Sequence, residues 1–282
     1  MKKILIPIDF SENAINAVNY ALALFKDEFC KFYILHAYQE DIYLSSVPIT
    51  REIIKEVIKA VGKDSQLQLK NTLKQIKNIS QNAKHVFKTI SANNILVDEA
   101  DRIVEEKNID LIVMGTRGKT NNKKLTFGSH TLQVLKYVKC PVLVIPENYT
   151  YIEPNHILFA TDYSIPYQQR ELELLGEIAA GNNSTVDLLY ISEGNHWSLR
   201  QEVNQSFIKE NLRSTKVHFK ITKDKNISNE IYSYVKDYET DLLVMINRRH
   251  SFLENILFQD NVDKISLSID IPFLALQNMR RN

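Results

Sequence analysis

The feature that most constrains the fold is a duplication of short apolar segments. Segment 4–11 (ILIPIDFS) recurs as 157–164 (ILFATDYS), and segment 110–114 (DLIVM) recurs as 241–245 (DLLVM). The repeated segments keep their order along the 282-residue chain, so we expect two domains of one fold in tandem. A chain of this length also suits two domains of ordinary size. We place these domains at residues 1–148 and 153–282.

Continuous apolar runs alternate with helical patterns within each copy. Such runs are typical of parallel strands that are covered on both faces. Strands that alternate with helices predict an open, doubly wound α/β domain with a mostly parallel five-stranded sheet and helices on both faces. The intervening segment 38–80 has the apolar spacing of an amphipathic helix or a helix pair. In the first domain we expect strands at 3–9, 32–37, 85–90, 111–114 and 142–145.

The glycine distribution points to a ligand at one end of this sheet. Only seven residues are glycine, and three of them lie in segment 111–131, which reads as a strand, a polar loop and a helix start. Ligands bind such sheets at the carboxyl ends of the strands, and a glycine turn before a helix N-terminus suits an anion. The segment therefore predicts a phosphate site. It is not a P-loop, because Val113 stands where that motif needs glycine, and no G-x-G-x-x-G is present.

The spacing of the loop is Gly115-x-x-Gly118, nine residues, and then Gly128-Ser129. In this pattern the chain resembles the universal stress protein family, whose nucleotide-binding members carry G-x-x-G-x9-G-[S/T] after the fourth strand. The strand ending Pro7-Ile8-Asp9 and the segment 140–146 (CPVLVIP) are also similar to that family. The resemblance covers the first domain and, as a divergent copy, the second. It implies an adenine nucleotide alpha hydrolase-like, Rossmann-like fold that holds ATP, with or without Mg²⁺.

The resemblance and the chemistry of the residues together suggest one nucleotide site. Glycines let the backbone approach a phosphate, the Ser129 and Thr131 hydroxyls can donate to it, and Arg117 suits charge-assisted contacts. By resemblance, Asp9 faces the ribose or a phosphate-bound metal, and apolar side chains line the adenine pocket. His130 is the histidine nearest the phosphates, and the sequence shows no partner carboxylate for it. The predicted nucleotide-binding residues are Pro7, Ile8, Asp9, Ala37, Met114, Gly115, Arg117, Gly118, Gly128, Ser129, His130 and Thr131.

The second domain keeps Asp162 but loses the loop. Ile246 and Arg249 stand at the positions of the first two glycines, and segment 250–261 contains no glycine. We therefore expect nucleotide binding in domain one only. The resemblance implies that the domains form an intramolecular pseudo-dimer through segments 142–145 and 273–276, and it leaves open a further homodimer.

The resemblance implies a nucleotide-dependent regulator of a stress response, and an enzyme is not favoured because catalytic-triad, paired-carboxylate and metal-ligand patterns are missing. Two alternatives remain: a slow ATPase or nucleotide hydrolase on the same site, and a scaffold that binds a protein partner without nucleotide. The net charge of +1 gives no reason to expect nucleic acid or an acidic membrane as a partner. No apolar run approaches the roughly 20 residues of a membrane span, and the N-terminus does not read as a signal peptide. We expect a cytoplasmic protein with reduced, buried Cys30 and Cys140.

Overall fold

The computed structural model describes residues 1–43, 51–116, 127–164, 166–191, 197–222, 227–247, 253 and 270–277. The chain divides into two compact units. The first holds residues 1–122 and 127–140, and the second holds residues 123–126 and 141–282.

The first unit is a parallel sheet with helical connections. Its strands follow the order β3-β2-β1-β4, and the pairs β1–β2, β1–β4 and β2–β3 are all parallel. Its elements are β1 (Lys2–Pro7), α1 (Glu12–Leu24), β2 (Cys30–Ala37), α2 (Gln39–Tyr43), α3 (Arg51–Ile79), β3 (His85–Ala92), α4 (Leu96–Lys107), β4 (Leu111–Gly115) and α5 (Ser129–Tyr137).

Burial explains why β4 reads as an uninterrupted apolar run. All five residues of β4 are buried, although successive side chains point to opposite faces, so both faces of the strand are covered. Asp110, just before β4, ties this strand to β1. Its backbone N–H donates to the Lys3 carbonyl at 2.9 Å, and its Oδ2 accepts from the Lys3 N–H at 2.8 Å.

The segment that the sequence assigned to a helix or a helix pair contains both a short and a long helix. The five-residue α2 follows β2 almost directly, and α3 extends over 29 residues. Leu69 and Ile76 of α3 are buried. The helix pattern was therefore predicted correctly, and α2 is the part that lies next to a strand end.

The second unit has the strand order β5-β10-β9-β6-β7-β8. Its pairs are parallel except β5–β10, which is antiparallel with Leu143 opposite Leu274. Strand β5, which the sequence analysis placed at the end of the first copy and expected to meet segment 273–276, pairs with β10 and falls within the second unit. The elements are β5 (Val142–Ile145), β6 (His156–Ala160), α6 (Gln169–Gly181), β7 (Thr185–Ile191), α7 (Leu199–Asn211), β8 (Lys216–Thr222), α8 (Ile227–Asp237), β9 (Leu242–Asn247) and β10 (Phe273–Gln277).

The two copies share local geometry as well as sequence. Asp241 and His156 exchange the same pair of bonds as Asp110 and Lys3, with the His156 N–H donating to Asp241 Oδ2 at 2.9 Å. The residue after each strand-ending aspartate has a positive φ, 64° at Phe10 and 54° at Tyr163. The predicted doubly wound α/β fold with mostly parallel sheets is confirmed.

Candidate functional site

Asp9 follows β1 in a turn that leads into α1. Its Oδ1 accepts hydrogen bonds from the Ser11 N–H at 3.1 Å and from the Ser11 hydroxyl at 2.6 Å. The Ser11 Oγ in turn accepts from the Ala14 N–H at 3.2 Å and caps α1. The carboxylate is therefore held at the carboxyl end of β1 by the start of the next helix.

Gly115 ends β4 at a point where α1 leaves no room for a side chain. A Cβ atom at this position would lie 2.7 Å from Asn13 Nδ2, 2.9 Å from Asn13 Cγ and 3.2 Å from the Asn13 carbonyl oxygen. Among the glycines in the described ranges none has a positive φ, so a left-handed turn does not explain this glycine. The sequence attributed Gly115 to the approach of a phosphate, whereas its close neighbour is the first turn of α1.

The loop that leaves β4 is closed where it meets α5. The Gly128 N–H donates to the Thr116 carbonyl at 2.7 Å. The Thr131 hydroxyl lies 3.0 Å from the Gly115 carbonyl and 3.2 Å from the Thr116 carbonyl, and Thr131 is only 2% exposed. A hydroxyl has one proton to donate, and the Thr131 hydroxyl donates it to these backbone carbonyls. Thr131, which the sequence analysis expected to donate to a phosphate, fixes the start of α5 against the end of β4 in this structure.

The N-terminus of α5 has the features that favour an anion. Gly128 is the N-cap residue, with extended φ and ψ of −69° and 163°, and no side chain in the described part of the chain caps this helix. Ser129 and His130 are exposed. The first N–H groups of a helix have no partner within it and form the positive end of its dipole. An oxyanion bound there would satisfy them.

His130 has a partner that sequence reasoning missed. Its Nε2 lies 2.7 Å from Glu40 Oε2, and the two side chains are 46% and 52% exposed. Glu40 belongs to α2, which begins two residues after the end of β2. Because parallel strands present their carboxyl ends at one edge, a carboxylate so soon after β2 was a signal that this side chain would lie near α5.

The remaining predicted residues lie at the same sheet edge where the structure describes them. Pro7 is the last residue of β1 and pairs with Leu35, and Ala37 is the last residue of β2. Ile8 and Met114 are buried apolar side chains at the ends of β1 and β4. The sheet order places these three strands side by side. Arg117 and Gly118 lie outside the described residues.

His36 and His85 are both buried. The His36 Nδ1 lies 2.9 Å from Ser65 Oγ, and its Nε2 lies 3.5 Å from Asp41 Oδ2. A pocket of about 420 Å³ lies beside this histidine, lined in part by Asp41, Asp64, Ser65 and Gln68. The ring of Phe10 packs against His36 with a centroid distance of 4.5 Å.

In the second unit the position that corresponds to His36 is filled by an aromatic cluster. Tyr190 lies 4.8 Å and Tyr163 lies 5.3 Å from the ring of Trp197, measured between centroids. Gln201 Nε2 donates to the Asp162 carbonyl at 2.9 Å and to the Tyr190 hydroxyl at 3.1 Å. Trp197 therefore packs over the ends of β6 and β7.

The glycine that ends β4 has no counterpart at the end of β9. Ile246, which corresponds to Gly115, is 7% exposed and pairs with Leu276 in β10. The strand then continues to Asn247, whose Nδ2 donates to Gln277 Oε1 at 3.1 Å. Asp162 keeps the turn, since its Oδ1 accepts from the Ser164 N–H at 2.9 Å. Arg248, Arg249 and His250 lie outside the described residues.

Among the residues that the structure describes, no group of three or more His, Cys, Asp or Glu side chains could hold a metal ion. None of the described helices combines the length and apolarity required to cross a bilayer.

Comparison with known proteins gives consistent matches. The model of the universal stress protein family matches residues 1–146. Two universal stress proteins of Methanocaldococcus jannaschii match about half of the chain. MJ0531 is 30% identical over 146 residues, which are 51% of this chain and 81% of that protein. MJ0577 is 32% identical over 152 residues, which are 51% of this chain and 94% of that protein.

One structural match extends over both units. The crystal structure of a universal stress protein from Archaeoglobus fulgidus covers 98% of this chain and 96% of its own, with a TM-score of 0.66 and 16% identity. At 16% identity this similarity establishes the fold alone, and it does so over 98% of the chain. With a family match over more than half of its residues, the chain belongs to the universal stress protein family.

Proposed function

We propose that this protein binds one adenine nucleotide, ATP foremost, in its first unit and acts as a nucleotide-dependent regulator of a stress response. The observation that carries this proposal is the N-terminus of α5, which has no side-chain cap among the described residues and is fixed against the end of β4 by Gly128 and Thr131. A fixed set of N–H donors at a strand end suits a phosphate group.

The rest of the nucleotide has chemically suitable neighbours at the same edge. Ile8 and Met114 offer buried apolar surface for the base, and Asp9 offers a carboxylate that accepts from ribose hydroxyls. When Mg²⁺ accompanies ATP, the Asp9 carboxylate offers a hard oxygen ligand at this edge. Asp9 is already oriented by Ser11, so little ordering is needed on binding.

The second unit supports a stoichiometry of one nucleotide per chain. At the place of Gly115 it carries the buried side chain of Ile246, and β9 extends past the point where β4 ends. The strand-end turn at Asp162 is retained, but it lies beside the cluster of Tyr163, Tyr190 and Trp197. We therefore assign the nucleotide to the first unit and a structural or regulatory role to the second.

We infer that the main role of the protein is to bind the nucleotide and not to hydrolyse it. Hydrolysis needs a group that orients the attacking water. In the proposed complex Asp9 faces the ribose or Mg²⁺, and His130 faces Glu40 or the phosphate chain, so neither is assigned to that water. A regulator needs the nucleotide to prefer one conformation of the protein over another, and α2 lies at the same edge as the site.

One universal stress protein has been solved in complex with cAMP, so nucleotide binding is known for a family member. Its likeness to this chain is low, with a TM-score of 0.35 and 14% identity. The support for a nucleotide in this chain is therefore the geometry of the first unit.

A test that spares the fold uses Ser129, the exposed first residue of α5. An aspartate there suits the helix dipole but places a negative charge where the phosphate would bind. We expect calorimetry to show ATP binding to the natural chain and at least about tenfold weaker binding to Ser129→Asp.

The matched control is Leu199→Asp, because Leu199 is the first residue of α7 in the second unit and is 77% exposed. This variant should bind ATP as the natural chain does. Failure of the natural chain to bind any adenine nucleotide would overturn the proposal. Equal affinity in Ser129→Asp would overturn the assignment of the site.

A further inference from the structure

Glu40 places a negative charge beside the helix end to which we assign the phosphates. Its Oε2 lies 2.7 Å from the Nε2 of His130, the second residue of α5. The two residues are 90 positions apart in the chain, so the contact is made by the fold and not by a local turn. It joins α2 to α5 across the carboxyl ends of β2 and β4.

We propose that Glu40 is an internal competitor of the phosphate chain and sets how strongly the site discriminates between nucleotides of different charge. In the structure the Glu40 carboxylate engages His130. A phosphate chain at the N-terminus of α5 then meets a negative charge and competes with Glu40 for the histidine. The inference rests on the nucleotide site proposed above.

The competition follows from the chemistry of the groups. A carboxylate and a phosphate oxygen are both anionic acceptors, and a ring N–H of His130 can be donated fully to one of them. If His130 turns to the phosphate, its contact with Glu40 is lost. If it stays, the carboxylate and the phosphate remain close and repel each other. Both cases weaken the binding of a more highly charged nucleotide more than that of a less charged one.

The expected change in nucleotide affinity follows from the exposure of the Glu40 and His130 side chains. Both side chains are about half exposed, so water and salt screen their charges. Exposed pairs of this kind correspond to changes in affinity of about two- to fivefold. We therefore expect a graded discrimination between ATP and AMP, strongest at low ionic strength.

The neighbouring residue supplies a matched control. Asp41 also lies on α2, but its Oδ2 is 3.5 Å from His36 Nε2, on the inner side of the helix. Asp41→Asn removes the same charge from the same helix without touching the Glu40–His130 contact. A nonspecific effect of net charge would appear in both variants.

The experiment measures the dissociation constants of ATP, ADP and AMP by calorimetry at low and high salt. The natural chain, Glu40→Gln, Asp41→Asn and His130→Gln are compared. We expect Glu40→Gln to bind ATP about two- to fivefold more tightly, ADP with a smaller gain and AMP with little change. High salt should reduce the difference, Asp41→Asn should behave as the natural chain, and His130→Gln should not bind ATP more tightly.

Equal changes for ATP and AMP in Glu40→Gln, or weaker ATP binding, would show that the contact only braces α2 and would overturn this inference while leaving the nucleotide site standing. If neither chain binds a nucleotide, the proposed function fails and this inference fails with it.

Discussion

Replacing Gly115 by alanine should destabilise the first unit, because the end of β4 and the start of α1 are in contact without space for a methyl group. The added Cβ would lie 2.7 Å and 2.9 Å from two atoms of the Asn13 side chain. Asn13 is 8% exposed, so its amide cannot move into solvent without disturbing the first turn of α1. The backbone carbonyl of Asn13, 3.2 Å away, limits relief by a shift of the strand.

Overpacking of this kind costs about 1–3 kcal/mol. Alanine also stiffens the unfolded chain, which offsets about 0.4–1 kcal/mol where φ is not positive. Taking the middle of each range, the expected net loss is about 1.3 kcal/mol. With a urea dependence of about 2 kcal/mol per molar, the unfolding midpoint of the first unit should fall by about 0.7 M.

Hydrogen–deuterium exchange of peptides from β1 and α1 during urea unfolding follows the first unit alone. The control is Gly181→Ala at the end of α6, where no atom lies within 4 Å of the added Cβ. In peptides from α6 this variant should be neutral or more stable by up to about 1 kcal/mol.

Shortening Asn13 to alanine in the Gly115→Ala background should recover part of the loss, because it removes the clashing side chain. A midpoint for Gly115→Ala that matches the natural chain, or a double variant as unstable as the sum of the two single changes, would refute the packing argument.

Two other changes probe the supports of the site and of its sheet. Ser11→Ala removes the cap of α1 and the Oγ bond to Asp9, so it should cost about 1 kcal/mol in urea unfolding, and an unchanged midpoint would contradict the role of the cap. In α4, hydrogen bonds from Arg102 lower the pKa of the buried Glu99 below its ordinary value of about 4.5, with a further contribution from Asn94. A carboxyl group whose pKa is lower in the folded state than in the unfolded state stabilises the fold at pH values above its unfolded-state pKa. This contribution is lost as the pH falls through the folded-state pKa. Arg102→Leu should therefore cost roughly 1–3 kcal/mol at pH 7 and progressively less below about pH 4.5, and a loss that is independent of pH would contradict this account.

The fold was largely predictable, because its signals are local and periodic. The five residues of β4 are all apolar or glycine and all buried, and the sequence alone identified this strand and β5 to within a residue. Helix α1 is marked by Ser11 and by a stripe of alanine, valine and leucine, and the structure buries that stripe. The pairing of β5 with β10 has no local signal, and it was expected from the family resemblance alone.

The site was predictable as a location and less so in its contacts. The carboxyl ends of β1, β2 and β4 were expected to meet, and they do. The contact of Asn13 with Gly115 and that of Glu40 with His130 join residues about 90 to 100 positions apart, and no periodicity reports such pairs. The glycine spacing indicated a ligand, but it could not show that Gly115 also makes room for α1 or that the Thr131 hydroxyl is used inside the fold.

Native mass spectrometry at the lowest ATP concentration that saturates the natural chain tests the central claim most directly, because it counts nucleotides on each chain. The account predicts a single bound adenine nucleotide on the natural chain and on Leu199→Asp, and a clearly lower occupancy of Ser129→Asp under the same conditions. Two nucleotides per chain, none at all, or one that survives Ser129→Asp unchanged would contradict a single site built on the N-terminus of α5.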